Sequence, residues 1–228
     1  MTTTWLNRHQ LPPYKKLSIT FDHVRLLEEF NLFQSGKDFN AYDGEYKALF
    51  NNNTGINAVN NMSNSDTKLR YNTMPLTVFD SEFDLSQRQE HSNSLWDKKV
   101  VRNDPASDER FYRKIVQDIP SYTKSVLAAF SPHIHRTRFA NLSAHQRIDE
   151  HVDYDTKYSV RLHIAIATND RCTNSWRMPD GTISTVHIPA DGSVWFVNQG
   201  IPHWAVNDSD TDRVHLIMSV DSQAVLDM

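Results

Sequence analysis

The sequence predicts a mainly β protein with a helical, irregular N-terminal part, its strands closing into a sandwich, a jelly roll or a barrel. Three observations carry that expectation. From His133 to the end of the chain, apolar and polar residues alternate with period two. Roughly eight short strands follow one another there, with Gly, Pro or Asp between them. The stretch before it lacks the alternation and carries helix start signals instead. The expected organisation is therefore an N-terminal part, residues 1–130, packing on a β core, residues 131–228, in one compact domain overall.

Taken in order, "FNNNTGINAVNNMSNSD" (Phe50–Asp66) is Asn-rich and aperiodic, and reads as a surface loop, either a tolerated insertion or a lid over a site. "PASDERFYRKIVQDI" opens on a Ser/Asp cap and spaces Phe111, Ile115 and Ile119 four apart, which predicts a helix. "PSYTKSVLAAF" predicts a second helix, with Pro120 at its start and Pro132 beyond its end. In the β region Val160, Leu162, Ile164 and Ile166 alternate with Arg161, His163, Ala165 and Ala167. "SWRMPDGTISTVHIP" reads as a hairpin about Asp180-Gly181, and "DGSVWFVN", "HWAVN" and "RVHLIMSV" as three more strands.

Composition excludes several function classes. With 228 residues, 39% hydrophobic and 23% charged, the chain can bury a sizeable core. The net charge is −4 and no block of five or six Lys/Arg occurs, so nucleic acid is not an expected ligand. No run reaches membrane-spanning length, and "MTTTWLNRHQLPPYKK" lacks the apolar centre of a signal peptide. Cys172 is the single cysteine, which rules out an internal disulfide and a Cys-rich zinc site and points to a reducing, cytoplasmic location. The Asn-x-Ser triplets at Asn61 and Asn141 then carry no glycosylation message.

Chemistry concentrates in "DEHVDYDTKYSVRLHIAIATN" (Asp149–Asn169). His151 and Asp153 sit two apart, which on a strand puts both side chains on one face. An imidazole and a carboxylate suit a divalent first-row metal, but a second His must come from elsewhere. His163, His187, His203 and His215 are the candidates downstream. His203 fits best: it opens a strand whose same face carries Ala205 and Asn207, small and polar residues suited to a cavity. Ten residues later Arg213 opens the next strand, where Arg213, His215, Ile217 and Ser219 alternate against Val214, Leu216, Met218 and Val220. An inward arginine needs an anion, and its planar fork suits a carboxylate; the alternative is a salt-bridged arginine at a strand end. His133 and His135 have no carboxylate at a fixed spacing, His187 reads as a hairpin residue, and Trp176, Trp195 and Trp204 read as packing. Arg138 and Asn207 are candidates to line the cavity and touch substrate.

His151-x-Asp153, His203 and Arg213, set in "RFANLSAHQRIDEHVDYD", "RLHIAIATN" and "GSVWFVNQGIPHWAVNDSDTDRVHLIMSVD", resemble the Fe(II)- and 2-oxoglutarate-dependent oxygenases. Within them the sequence is similar to the aspartyl/asparaginyl β-hydroxylase-like branch, which includes free-proline hydroxylases. The likeness covers about Arg138 to Asp221. It implies a double-stranded β-helix, a cupin-like jelly roll. It implies Fe(II) on His151, Asp153 and His203, with 2-oxoglutarate on two open positions and O2 on the last. Arg213 would hold the cosubstrate's far carboxylate, and Arg161 and His163 would lie near its metal-bound end. Some members of the branch carry Gly where Asp153 stands, so a complete triad is expected here. The implied reaction hydroxylates an amino acid, or an amino-acid residue of a peptide or protein, with release of succinate and CO2. A competing reading is a non-catalytic, metal-stabilised jelly-roll binding module, which needs neither Arg213 nor an open coordination position.

Overall fold

The computed structural model describes residues 5–35, 71–83 and 108–228. Its strands are β1 (Tyr14–Thr20), β2 (Tyr71–Pro75), β3 (Thr77–Val78), β4 (Lys114–Ile115), β5 (Ile134–Leu142), β6 (Gln146–His151), β7 (Val160–Ala167), β8 (Cys172–Arg177), β9 (Ile183–Val186), β10 (Ser193–Val197), β11 (His203–Asn207) and β12 (Arg213–Val220). Among the described residues two helices accompany them, α1 (His23–Gln34) and α2 (Ser121–Ala128). A six-stranded sheet in the order β1-β10-β7-β12-β5-β2 and a four-stranded sheet in the order β6-β11-β8-β9 make a mainly β, jelly-roll architecture. Every strand pair in both sheets is antiparallel.

The larger sheet is covered on both faces, which explains why "VRLHIAIA" and "RVHLIMSV" are buried along almost their whole length. One phase of the alternation meets the helices. Leu162, Ile164 and Ile166 of β7, Val214, Leu216, Met218 and Val220 of β12 and Phe139 of β5 pack with Leu26, Phe30 and Phe33 of α1 and Val126 and Leu127 of α2. The three α1 residues fall at spacings of four and three, one stripe of a helix that Asp22 caps by accepting from the Arg25 N–H. The other phase points between the sheets, where Ala165, Trp176, Val197 and Ile201 form a second cluster. Phe139 is fully buried, with the Phe30 ring edge-on at 5.0 Å between centroids. Phe139→Ala removes that packing and leaves a cavity, so denaturant unfolding is expected to show a loss of about 3–5 kcal/mol. A loss under about 1 kcal/mol would mean that the helices do not close on this face.

Two expectations for the N-terminal part change. The helix expected over Pro105–Ile119 is not formed among its described residues: they make a 3₁₀ turn, Glu109–Phe111, followed by β4, which pairs with β3. Tertiary partners outbid local periodicity. The Asp108 carboxylate accepts from Arg110 and from the Tyr158 hydroxyl, Glu109 is ion-paired with Arg136, and Arg113 donates to Asp221 and to the Pro132 carbonyl. The second change is that β1 and β2 flank the larger sheet at its two edges. β1 hides its strand character because an edge strand buries little: only Leu17 is buried, and Lys15 and Lys16 are exposed. The second expected helix is present as α2, starting directly after Pro120. The hairpin about Asp180-Gly181 joins β8 to β9, with Gly181 at φ 84°. The Asn-rich stretch Phe50–Asp66 lies outside the described residues.

Candidate metal centre and its cavity

Strand pairing brings the two key histidines together. β11 runs against β6 with His203 directly opposite His151, and the rings sit 4.2 Å apart between centroids. Asp153 follows the end of β6, where its backbone N–H donates to the Gln199 carbonyl and fixes the bend. One ligand atom from each of His151, Asp153 and His203 lies within 4.8 Å of the others, a spacing that a single metal ion can bridge.

Each group is prepared as a ligand. The Nδ1–H of His151 donates to the Asp149 carbonyl at 2.7 Å, and that of His203 to the Ile201 carbonyl at 2.9 Å. Both bonds put the ring proton on Nδ1 and leave Nε2 as the lone pair facing the site. Burial, reinforced by His151 alongside, pushes His203 down to about 4, so it is neutral at pH 7. Burial alone would raise the Asp153 carboxyl. The Arg161 guanidinium, and then the two imidazoles, outweigh it and hold Asp153 far below the usual carboxylate range. Arg161 Nη1 donates to Asp153 Oδ2 at 2.6 Å, while Oδ1 faces His151 Nε2 at 4.0 Å. One carboxylate oxygen is thus tied up by the protein, and the other faces the metal position.

The cluster opens into a cavity of about 130 Å³ between the sheets. Its wall includes Arg138, Arg161, His163 and Arg213, all from the inward phase of β5, β7 and β12. Arg161 is ion-paired, yet its Nε and Nη2 are buried with no hydrogen-bond partner. Arg213 Nε donates to His215 Nε2 at 3.1 Å, and its Nη2 donates to Asn174 Oδ1 at 2.8 Å. Nη2 also lies 3.2 Å from His215 Nδ1, but a neutral imidazole accepts at only one nitrogen, and the closer Nε bond claims Nε2. Burial and the neighbouring Arg213 hold His163 and His215 well below the usual range, so both rings are neutral. His215, accepting at Nε2, carries its proton on Nδ1 and donates it to His163 Nδ1 at 3.2 Å. His163 in turn carries its proton on Nε2, a buried atom with no partner. A guanidinium thereby sets the tautomers of two rings in series and leaves an N–H donor in the cavity wall.

Other sequence candidates fall elsewhere. His215 is committed to Arg213 and His163, and is not one of the clustered metal-binding groups. Asn207 is not among the residues that line the cavity: although it sits on the inward phase of β11, its Nδ2 donates to the carbonyls of Leu142, Ser143 and Thr211. His187 Nδ1 donates to the Cys172 carbonyl, and His133 pairs with Asp221. Trp176 packs in the core, donates Nε1–H to the Asn198 carbonyl, and also forms part of the cavity wall.

The sequence reading missed Arg136, Asn174 and Gln199, all on the wall. Arg136 sits in a β-bulge: Ile217 faces Arg138 and Ser219 faces His135, so one extra residue stands on β5 between the pairs. Arg136 takes φ 41°, which brings it to the same cavity as Arg138. No sequence pattern marks a bulge at a non-glycine residue. Asn174 was visible as the inward residue between Cys172 and Trp176 on β8.

His135 lies in the same bulge, fully buried against the Ser159 hydroxyl, and burial pushes it down to about 4. The unfolded chain takes up its proton near pH 6.5, the ordinary value, and the folded protein refuses it until about pH 4. Stability is therefore full above pH 6.5 and falls as the pH drops toward 4, by on the order of 3 kcal/mol for this one group. His163, His203 and His215 act in the same sense. Urea unfolding at a series of pH values is expected to show a smaller acid loss for His135→Asn than for the unmodified chain; equal losses would contradict it.

With the geometry in place, a comparison with known families decides the kinship. The model of the aspartyl/asparaginyl β-hydroxylase family matches residues 37–223. The chain belongs to this family. The match spans the cluster, the cavity strands and the segment before them. Among solved structures, the fold is similar to a 2OG-Fe(II) oxygenase family oxidoreductase from Burkholderia pseudomallei (10% identity, TM-score 0.44, 72% of this chain and 75% of that one). It is also similar to a Pseudomonas putida prolyl-4-hydroxylase (16% identity, TM-score 0.38, 46% and 67%) and to a cupin domain from Bordetella pertussis (14% identity, TM-score 0.29, 40% and 85%). In the β-hydroxylase family setting, the orphaned donors of Arg161 and His163 beside a His-Asp-His cluster suit a metal-chelating carboxylate cosubstrate. No helix among the described residues is long and apolar enough to cross a membrane.

Proposed function

We propose that the chain is an Fe(II)- and 2-oxoglutarate-dependent hydroxylase acting on an amino acid, or on an amino-acid residue of a peptide or protein. The observation that carries this reading is the convergence of two Nε2 lone pairs and one Asp153 oxygen on a cavity whose wall carries Arg161, His163 and Arg213. Two imidazoles and one carboxylate leave coordination positions open, as a non-haem iron oxygenase needs. When bound, iron and 2-oxoglutarate supply the oxidising chemistry, converting the cosubstrate to succinate and CO2 while O2 provides the hydroxyl oxygen.

The chain's own residues bind, orient and exclude water. His151 and His203 present their Nε2 atoms, and Asp153 an ionised Oδ1. Arg161 holds the other carboxylate oxygen, which favours one-oxygen ligation by Asp153. Arg213, fixed by His215 and Asn174, offers its guanidinium to the far carboxylate of the cosubstrate. His163 Nε2–H and the remaining Arg161 donors suit the end nearer the metal. Ile148, Tyr154, Trp176, Val197 and Ile217 give the cavity apolar walls that keep water away. Arg138 and Arg136 stand on the wall as candidate contacts for a substrate carboxylate. The chemistry fits a reducing, cytoplasmic setting, in which Cys172 stays a buried free thiol.

The competing module without catalysis accounts for the metal cluster but gives no purpose to buried donors pointing into a cavity. The test is succinate formation by the iron-loaded protein with 2-oxoglutarate and O2, screened over free amino acids and peptides. The expected result is stimulation by at least one of them, with one hydroxyl added per succinate. Hydroxylated product without succinate, or 2-oxoglutarate bound but never consumed under any of them, would overturn the proposal.

A further inference from the structure

We infer that Asn174 is a second binding residue for the cosubstrate's far carboxylate, sharing that anion with Arg213 and at the same time holding Arg213 in place. This rests on the proposed function and adds a residue to it. Asn174 lies on β8, in the four-stranded sheet, opposite Ala205 of β11. Ala205 and Asn174 both line the cavity that His203 faces. Asn174 is 5% exposed. Its two ends have different fates: Oδ1 accepts from Arg213 Nη2 at 2.8 Å, whereas Nδ2 is buried with no partner.

A buried amide nitrogen without an acceptor is rare in folded proteins, and here it sits on the cavity wall beside a guanidinium. The two groups come from opposite sheets, Arg213 from β12 and Asn174 from β8, and meet across the sandwich. A carboxylate placed against both would accept a charge-assisted bond from the guanidinium and a neutral bond from Nδ2–H. The amide adds a donor without a further charge, so it raises affinity for the anion and leaves the iron end of the cavity untouched. Because the anion bridges the two sheets, its binding stabilises their packing as well.

The test uses the full-length, iron-loaded protein under anaerobic conditions. Binding of 2-oxoglutarate and of 2-oxovalerate, the same 2-oxo acid chain without the far carboxylate, is measured for the unmodified chain, Asn174→Ala and Asn174→Asp. Thermal unfolding is followed with and without each ligand. Asn174→Ala is expected to weaken 2-oxoglutarate tenfold or more and 2-oxovalerate less than twofold. Asn174→Asp, which keeps the acceptor for Arg213 but loses the donor and adds a negative charge, is expected to weaken 2-oxoglutarate further. Iron content should stay unchanged in both, and the thermal stabilisation that 2-oxoglutarate gives should shrink in step with affinity. An Asn174→Ala variant that binds 2-oxoglutarate within twofold of the unmodified chain overturns the inference. So does equal weakening of both ligands, which would mark general damage to the cavity. Failure of the unmodified chain to bind 2-oxoglutarate overturns the functional reading itself, a separate outcome.

Discussion

His203→Ala is expected to lose iron and, with it, all cosubstrate turnover. The loss in metal affinity should exceed the roughly 10–100-fold that removal of an outer-sphere partner costs, because a ligand itself is gone. His151→Ala should behave alike, since the two rings face each other across one strand pair and present equivalent Nε2 atoms. Neither change should unfold the protein, since His151 and His203 are each only partly buried. His215→Ala is the informative contrast. It removes a buried histidine of the same cavity but leaves the three clustered groups intact, so iron stoichiometry should stay as in the unmodified chain. Equal iron content in His203→Ala and the unmodified chain would remove His203 from the metal centre and return His215 to consideration.

Arg213→Ala is expected to cost about 2–5 kcal/mol of 2-oxoglutarate binding, the usual loss on truncating one partner of a buried charge pair. That converts to roughly a thirty-fold to several-thousand-fold weaker affinity. Iron binding should persist, because Arg213 lies outside the cluster. Arg213→Lys should recover only part of the loss. A lysine brings a point charge but cannot donate to His215 and Asn174 in the fork that Arg213 uses. The substitution also removes the donor that sets the His215 and His163 tautomers, so His163 Nε2–H is no longer fixed toward the cavity. Unchanged 2-oxoglutarate affinity in Arg213→Ala would move the carboxylate contact elsewhere, with Arg161 the first residue to test.

Much of this site could be read from the sequence, for a physical reason. Period-two alternation is enforced by burial on both faces of β7 and β12, so the odd residues Arg161, His163, Arg213 and His215 had to point away from the helix-packed side. His151 and Asp153 needed only local spacing, and His203 a strand start. What escaped depends on contacts distant in sequence. Arg136 reaches the cavity through a bulge that only the pairing of β5 with β12 reveals. Asn174 matters because of a bond between sheets. Asn207 shows the converse: the alternation put it on the inward side, but three backbone carbonyls claim its amide first. The helix expected over Pro105–Ile119 is absent among its described residues for the same reason, since their charged groups have stronger partners at Arg136, Tyr158 and Asp221 than a helical turn could offer. β1 was missed because an exposed edge strand has almost no apolar face to show.

In the proposed function one cluster and one cavity bind Fe(II) and 2-oxoglutarate together. Anaerobic addition of Fe(II) and then 2-oxoglutarate, followed by visible absorption, tests it most directly. Chelation of ferrous iron by the 2-oxo acid gives a weak charge-transfer band. That band is expected to grow and saturate at one equivalent of iron and one of cosubstrate, to vanish in His203→Ala, and to need far more 2-oxoglutarate in Arg213→Ala. An iron-loaded protein that gives no band at saturating 2-oxoglutarate, or a band of equal strength in His203→Ala, would contradict it.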